Sequence, residues 1–221
     1  ENGDVISVSL DVTNVSETDS DEVVQIYFRM ENPSVKRPLR QLVAFARERI
    51  EGGRTRHFEF DIKKSELRFY DVSRECFAVE QGRYTFMAGA SSEDIRLTKT
   101  IDVSGEIIPP RELCKGVKAK NYDGKCGAKM KYSKKLEQHY MLGGGLIYNN
   151  CVLGEADSIE IVCGSRVNTG KITVRYGGET LCEAEVKPTV DVTEFETVTA
   201  QFDKAVLAGI DRENPAVFEL W

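Results

Sequence analysis

Tryptophan and histidine are scarce in this chain: a single Trp, Trp221, and two His, His57 and His139, among 221 residues. Chemistry that relies on imidazole as a base or metal ligand has little to draw on. Neither His has a Ser or Cys partner in a recognisable catalytic arrangement, so both read as surface residues. Long apolar runs are missing as well. Nothing approaches the roughly 20 residues needed to cross a bilayer, and no membrane partner is expected. A positive charge balance is also absent, since the net charge is −6; phosphate binding needs clustered cations, so nucleic acid is not expected either. The six cysteines include no C-x-x-C pair and no histidine spaced for zinc. They are expected to be reduced, with Cys163 on one alternating face with Ile159 and Ile161 as a buried thiol. The compartment stays open between cytoplasm and secretion, the unpaired cysteines pointing toward the cytoplasm. Arg49–Arg54 reads as a turn, because it lacks the Lys-Ser/Thr ending of a phosphate loop. The sequence begins at Glu1 with no visible signal peptide, which is read as the mark of an excised or processed piece.

What is present is alternation. Ile6, Val8, Leu10 and Val12 are interleaved with Ser7, Ser9 and Asp11; Phe58, Phe60 and Ile62 with Glu59 and Asp61; and Tyr84, Phe86 and Ala88 repeat the period. A period of two predicts strands with one buried and one wet face, as in antiparallel sandwiches. Beyond the two prolines Pro109 and Pro110 the same pattern returns at Ile159–Cys163, Ile172–Tyr176, Cys182–Val186 and Val198–Phe202. Gly177-Gly178 is suited to the positive φ angles of a tight hairpin. The chain is read as all-β: a first sandwich over 1–105 whose last strand ends near Val103, a linker over 106–112 stiffened by the prolines, and a second sandwich over 113–221. Helical signal is weak, with one turn expected at Ser133–Tyr140.

Particular segments carry a resemblance. Val12-Thr13-Asn14, Asp21–Gln25, Ser34–Pro38, Gln41–Phe45, Leu67-Arg68-Phe69, Glu80–Tyr84 and Gly89–Ser92 occur in the order found in the fibronectin type III-like module of glycoside hydrolase family 3 enzymes. The resemblance covers about residues 3–104 and implies a fibronectin III/Ig-like sandwich. The second region resembles, more loosely, a family 6 carbohydrate-binding module, a jelly roll of the galactose-binding type. The matching segments are Val117–Gly124, Ile147–Gly154, Gly170–Arg175 and Thr189–Thr197.

These resemblances set the functional expectations. Retaining glycosidases need two carboxyls about 5–5.5 Å apart. The chain has 36 acidic residues, none in a recognisable catalytic setting, and the resemblance places the nucleophile on an upstream domain. No catalytic residue is therefore assigned. The chain is expected to be an inactive part of a β-glucosidase-like enzyme, partnered by the upstream catalytic domains of the same protein and by oligo- or polysaccharide. Arg37 and Arg40 are expected to brace the interface with those domains, since forked guanidinium donors suit carboxylates and carbonyls. Sugar sites use aromatic platforms flanked by polar groups. Tyr132 and Tyr140 lie in the corresponding early loop, with Asn149 or Asn150 nearby; the candidate carbohydrate-binding set is Tyr132, Tyr140 and Asn150. Two departures weaken this set. The resemblance calls for a Trp near Val192, and Phe195 reads as core instead. A calcium-binding Glu is replaced by Lys120, whose ammonium cannot ligate calcium. Asp123 and Asp211 are candidate ligands for a different site, but no metal and no cofactor are expected. A run of lysines from Lys115 to Lys135 reads first as a solvated edge, with an anionic glycan or acidic surface as the alternative. One alternative is that both sandwiches are purely structural, the sugar site of the second having been lost; a further one is an adhesin-like surface protein.

Overall fold

The computed structural model describes residues 3–135, 137–165, 169–189 and 194–221. The chain divides into two compact units, Glu1–Ile108 and Pro109–Trp221, each with its own hydrophobic core.

The first unit contains β1 (Val5–Thr13), β2 (Ser20–Met30), β3 (Gln41–Ile50), β4 (Thr55–Lys63), β5 (Phe69–Asp71), β6 (Cys76–Ala78), β7 (Gly82–Gly89) and β8 (Ile95–Val103). Its main sheet has the order β3-β2-β7-β8, β1 pairs with β4, and β5 with β6 forms a small hairpin. The alternation seen in sequence explains the layering. Across β1 and β4, Ile6 faces Ile62, Val8 faces Phe60 and Leu10 faces Phe58, so one face of this pair is apolar over these three rows. It closes on Val24, Ile26 and Phe28 of β2 and Tyr84 and Phe86 of β7 in a single core. Fully burying one such side chain stabilises by about 1.5–3 kcal/mol.

The main sheet is unusual on its outer face. Leu42 of β3, Tyr27 of β2 and Met87 of β7 stand in one cross-strand row, with Phe45 opposite Gln25 farther along. Tyr27 and Met87 are buried, but Leu42 is 51% and Phe45 68% exposed.

The second unit contains β9 (Arg111–Glu112), β10 (Gly124–Cys126), β11 (Lys129–Ser133), β12 (Gln138–Leu142), β13 (Gly145–Val152), β14 (Ser158–Cys163), β15 (Gly170–Tyr176), β16 (Glu179–Val186), β17 (Glu196–Gln201), the helix α1 (Lys204–Gly209) and β18 (Ala216–Leu220). The main sheet runs β10-β13-β18-β15-β16, with β9 added in parallel beside β13. β14 pairs with β17, and β11 with β12, each as a two-stranded sheet. Gly177 and Gly178 both take positive φ, 59° and 92°, and turn β15 into β16. The core gathers Tyr148, Cys151, Val174, Tyr176, Leu181, Phe202 and Phe218. Buried Cys151 is part of it, whereas Cys163 is only half-buried.

Two expectations are corrected here. Among the described residues, Ser133–Tyr140 shows no helical turn: Ser133 ends β11 and Gln138–Tyr140 opens β12. Glu137, at φ 50°, helps reverse the chain there. The helix lies at Lys204–Gly209, where Asp203 caps it by accepting from the N–H groups of Ala205 and Val206. The connection between units is also shorter than 106–112. Glu106 donates its N–H to Val79 O (2.7 Å) and accepts from Gln81 N–H (2.8 Å), and Arg111–Glu112 already belongs to the second unit's sheet. The fold class is as the alternation requires: all-β, with antiparallel sheets layered around two cores.

Candidate functional site

The candidate sugar-binding residues fall on the β11–β12 hairpin. Register fixes what they can do together. Tyr132 pairs with His139, and Lys131 pairs with Tyr140. Successive residues of a strand point to opposite faces, so Tyr132 and Tyr140 stand on opposite sides of the hairpin. They do not bracket one ligand. Tyr132 is 55% exposed and lies 5.1 Å from the His139 ring. Tyr140 meets the Phe195 ring edge-on at 5.9 Å and is half-buried. Val192, where the resemblance calls for a Trp, lies outside the described residues.

Asn150 has a backbone role. The β13–β18 register slips between Tyr148 and Cys151, and Asn150 sits in that bulge at φ 54°, a left-handed conformation that Asn tolerates better than most residues. The two carboxylates considered for calcium are already engaged. Asp123 accepts from Arg111 (2.9 Å) and from Asn149 N–H (2.7 Å). Asp211 accepts from Glu213 N–H, Asn214 N–H and Asn214 Nδ2, and these hydrogen bonds, the Asn214 side chain first, hold its carboxyl below the usual value. Among the described residues, no three His, Cys, Asp or Glu side chains gather as a metal cage would require.

Arg37 and Arg40 part company. The Arg37 side chain is 6% exposed and pairs with Glu80 at 2.5 Å. Its guanidinium lies 3.9 Å from the Phe69 ring centre. Glu80 also accepts from Ser34 N–H (2.9 Å), so the pair ties the loop 31–40 down onto the first unit. Arg40 is exposed and donates to Ser92 O, joining the same loop to the turn after β7. Leu39, between them, is 88% exposed.

One feature went unread in the sequence. Tyr70 and Phe77 face each other across the β5–β6 hairpin, 5.2 Å apart and edge-to-face, with Arg68 over Phe77. Both rings are at least half exposed, and Phe77 borders a cleft of about 340 Å³ lined also by Lys64, Arg68, Ser104 and Glu106. The signal available in sequence was two aromatics seven apart, flanking a turn that contains Ser73 and Arg74. Below the hairpin, burial would push the Asp71 carboxyl up, but hydrogen bonds from Arg74 and the Ser73 and Arg74 N–H groups hold it below its ordinary 3.8.

Comparison with known proteins places the first unit. A family profile described as the fibronectin type III-like domain matches residues 22–92. A β-glucosidase of Rhizobium radiobacter is 34% identical over 98 residues, 44% of this chain and 12% of that protein. The β-glucosidase BoGH3A of Bacteroides ovatus is 32% identical over 97 residues, 44% of this chain and 13% of the relative. Among solved structures, the β-glucosidase of Kluyveromyces marxianus in complex with glucose matches with TM-score 0.46 and 30% identity, covering 47% of this chain and 13% of that one. The first unit therefore carries a fibronectin type III-like domain over residues 22–92, within a chain that spans 12–13% of the length of the β-glucosidases it matches.

Proposed function

We propose that this chain is a non-catalytic part of a longer glycoside hydrolase of β-glucosidase type, in which the first unit braces the catalytic domains and the second binds carbohydrate weakly. The observation that carries the bracing role is the row Leu42–Tyr27–Met87 with Phe45 beside it. An outer sheet face normally bears polar side chains, whereas this one presents two large exposed apolar residues, as a face covered by another domain would. The loop carrying Leu39 is held rigid by Arg37–Glu80 and Arg40–Ser92. Arg37 thus acts by fixing its own loop; Arg40, on the surface, is the better placed of the two to touch a neighbour.

For the second unit, exposed Tyr132 with the His139 ring supplies a single aromatic platform rather than a two-walled slot. One stacked ring is consistent with weak binding, which tethering to an enzyme makes useful by raising local substrate concentration. The separation of Tyr132 from Tyr140 favours the competing reading, a second unit that is structural only.

The test compares Leu42→Ser/Phe45→Ser in two settings. In the isolated chain the pair leaves the melting temperature nearly unchanged, because both residues are already solvent-exposed. In the longer parent enzyme it lowers the temperature of thermal inactivation of aryl β-glucoside hydrolysis. An unchanged parent enzyme would remove the bracing role.

A further inference from the structure

The lysines between Lys120 and Lys135 are not dispersed decoration. Arg111 and nearby Asp123 are consumed in one buried pair, and Lys115 with Glu112 in another contact. That leaves Lys120, Lys125, Lys129, Lys131, Lys134 and Lys135, all exposed, with no carboxylate in ion-pair distance among the described residues. Six like charges fall within residues 120–135, where like charges that come near one another repel, in a chain whose overall charge is −6. Edge protection accounts for Lys125, on the end strand β10 of the main sheet. It does not account for Lys134 and Lys135, which sit in the turn of the hairpin.

Register gives the cluster a working face. Lys129 stands opposite Leu142, and Lys131 opposite Tyr140, so one side of the hairpin carries two lysines about 6.5–7 Å apart against an apolar and an aromatic neighbour. Leu142 is 49% exposed. Lys134 and Lys135 extend the positive charge beyond β11. Cations aligned along a strand, with apolar surface across from them, suit a chain that carries regular carboxylates and also presents C–H faces.

We propose that this side of the β11–β12 hairpin binds an acidic polysaccharide, a glycan bearing uronic acid carboxylates. The choice of a glycan over other polyanions rests on the carbohydrate reading given above; the requirement for negative charge rests on the lysines alone. The face is the one opposite Tyr132, so the two readings are separable.

The experiment measures binding of the whole chain to polygalacturonate, to a neutral β-glucan, to duplex DNA and to anionic lipid vesicles, by titration calorimetry at about 0.02 M and about 0.3 M salt. The expected result is binding to polygalacturonate that weakens steeply with salt, and falls about fivefold in Lys129→Gln/Lys131→Gln. Tyr132→Ala leaves it nearly unchanged. All three side chains are exposed, so these variants keep the fold, which circular dichroism verifies. Binding to the neutral glucan alone, lost in Tyr132→Ala, would overturn the acidic ligand while keeping the carbohydrate reading. DNA or vesicles bound as tightly as polygalacturonate would overturn the glycan class. Absence of binding to any of the four would overturn both.

Discussion

In the first unit, β2 with β3 and β7 with β8 are pairs of successive strands, and the main sheet is finished by joining those two hairpins along β2 and β7. In the second unit the last strand, β18, lies inside the sheet, between β13 and β15. Its residues contribute Phe218 to the core, and Trp221 exchanges two backbone hydrogen bonds with Thr173 at 2.8 and 2.9 Å. The main sheet of the first unit thus rests on two local hairpins, although β1–β4 and β2–β7 are long-range pairings, whereas the main sheet of the second stays incomplete until β18 has paired on both sides. Long-range pairing costs loop-closure entropy before any contact rewards it. The second unit is therefore expected to fold more slowly and to be the more sensitive to change at its end.

The largest effect comes from a feature that both units contain, a buried Arg–carboxylate pair. Arg37–Glu80 in the first and Arg111–Asp123 in the second have side chains no more than 9% exposed. Removing one partner of such a pair leaves a buried charge and costs about 3–5 kcal/mol. Arg37→Ala is expected to lower the urea midpoint of the first unit and spare the second, and Arg111→Ala to do the reverse, monitored by residue-resolved hydrogen exchange. If either change unfolds both units together, the two are one cooperative body and the comparison falls.

Next comes Gly145. A Cβ there would lie 2.5 Å from the Trp221 ring, so Gly145→Ala should destabilise the second unit by about 1–3 kcal/mol. The double variant with Trp221→Ala should lose less than the sum of the two. Full additivity would mean that the ring moves aside freely and that the chain end is not pinned. A smaller loss, about 1–2 kcal/mol, is expected for Asn150→Ala, whose left-handed backbone penalises a Cβ without a polar side chain; Asn150→Gly should be close to neutral in the same melts.

The smallest effect belongs to the first unit. Hydrogen bonding to Asp11 at 2.6 Å, opposed by desolvation and aided by Glu59, raises the His57 pKa above 6.5. Its contribution to stability is present below pH 6.5 and lost as pH rises through the higher folded value. An NMR titration should place the His57 midpoint above 6.5 and return it toward that value in Asp11→Asn.

Much of this architecture was legible because strands with one wet face write a period of two into the sequence. β1, β4, β7 and β14 to β17 were read that way. β18 was not, since Ala216–Leu220 is too short to show a period. The hairpin β11–β12 was missed because Lys129 and Lys131 alternate with Met130 and Tyr132, a strand pattern whose polar and apolar sides are both exposed. The pairing of Tyr132 with Tyr140 failed for a related reason: sequence proximity says nothing about faces until the register is known. Arg37 was expected at an interdomain contact because of what the resemblance implies for its turn; its partner Glu80 lies 43 residues away, beyond any local pattern.

The buried thiol of Cys151 gives the second unit a chemical clock. Burial pushes it up to about 11, so at neutral pH it carries almost no thiolate, the form that reacts with disulfide reagents and alkylators. Cys114 and Cys126 are on the surface and are expected to be labelled without any unfolding. Labelling at Cys151 waits for the sheet around it to open, and its rate, read by mass spectrometry, times the unfolding of the second unit with no engineered reporter.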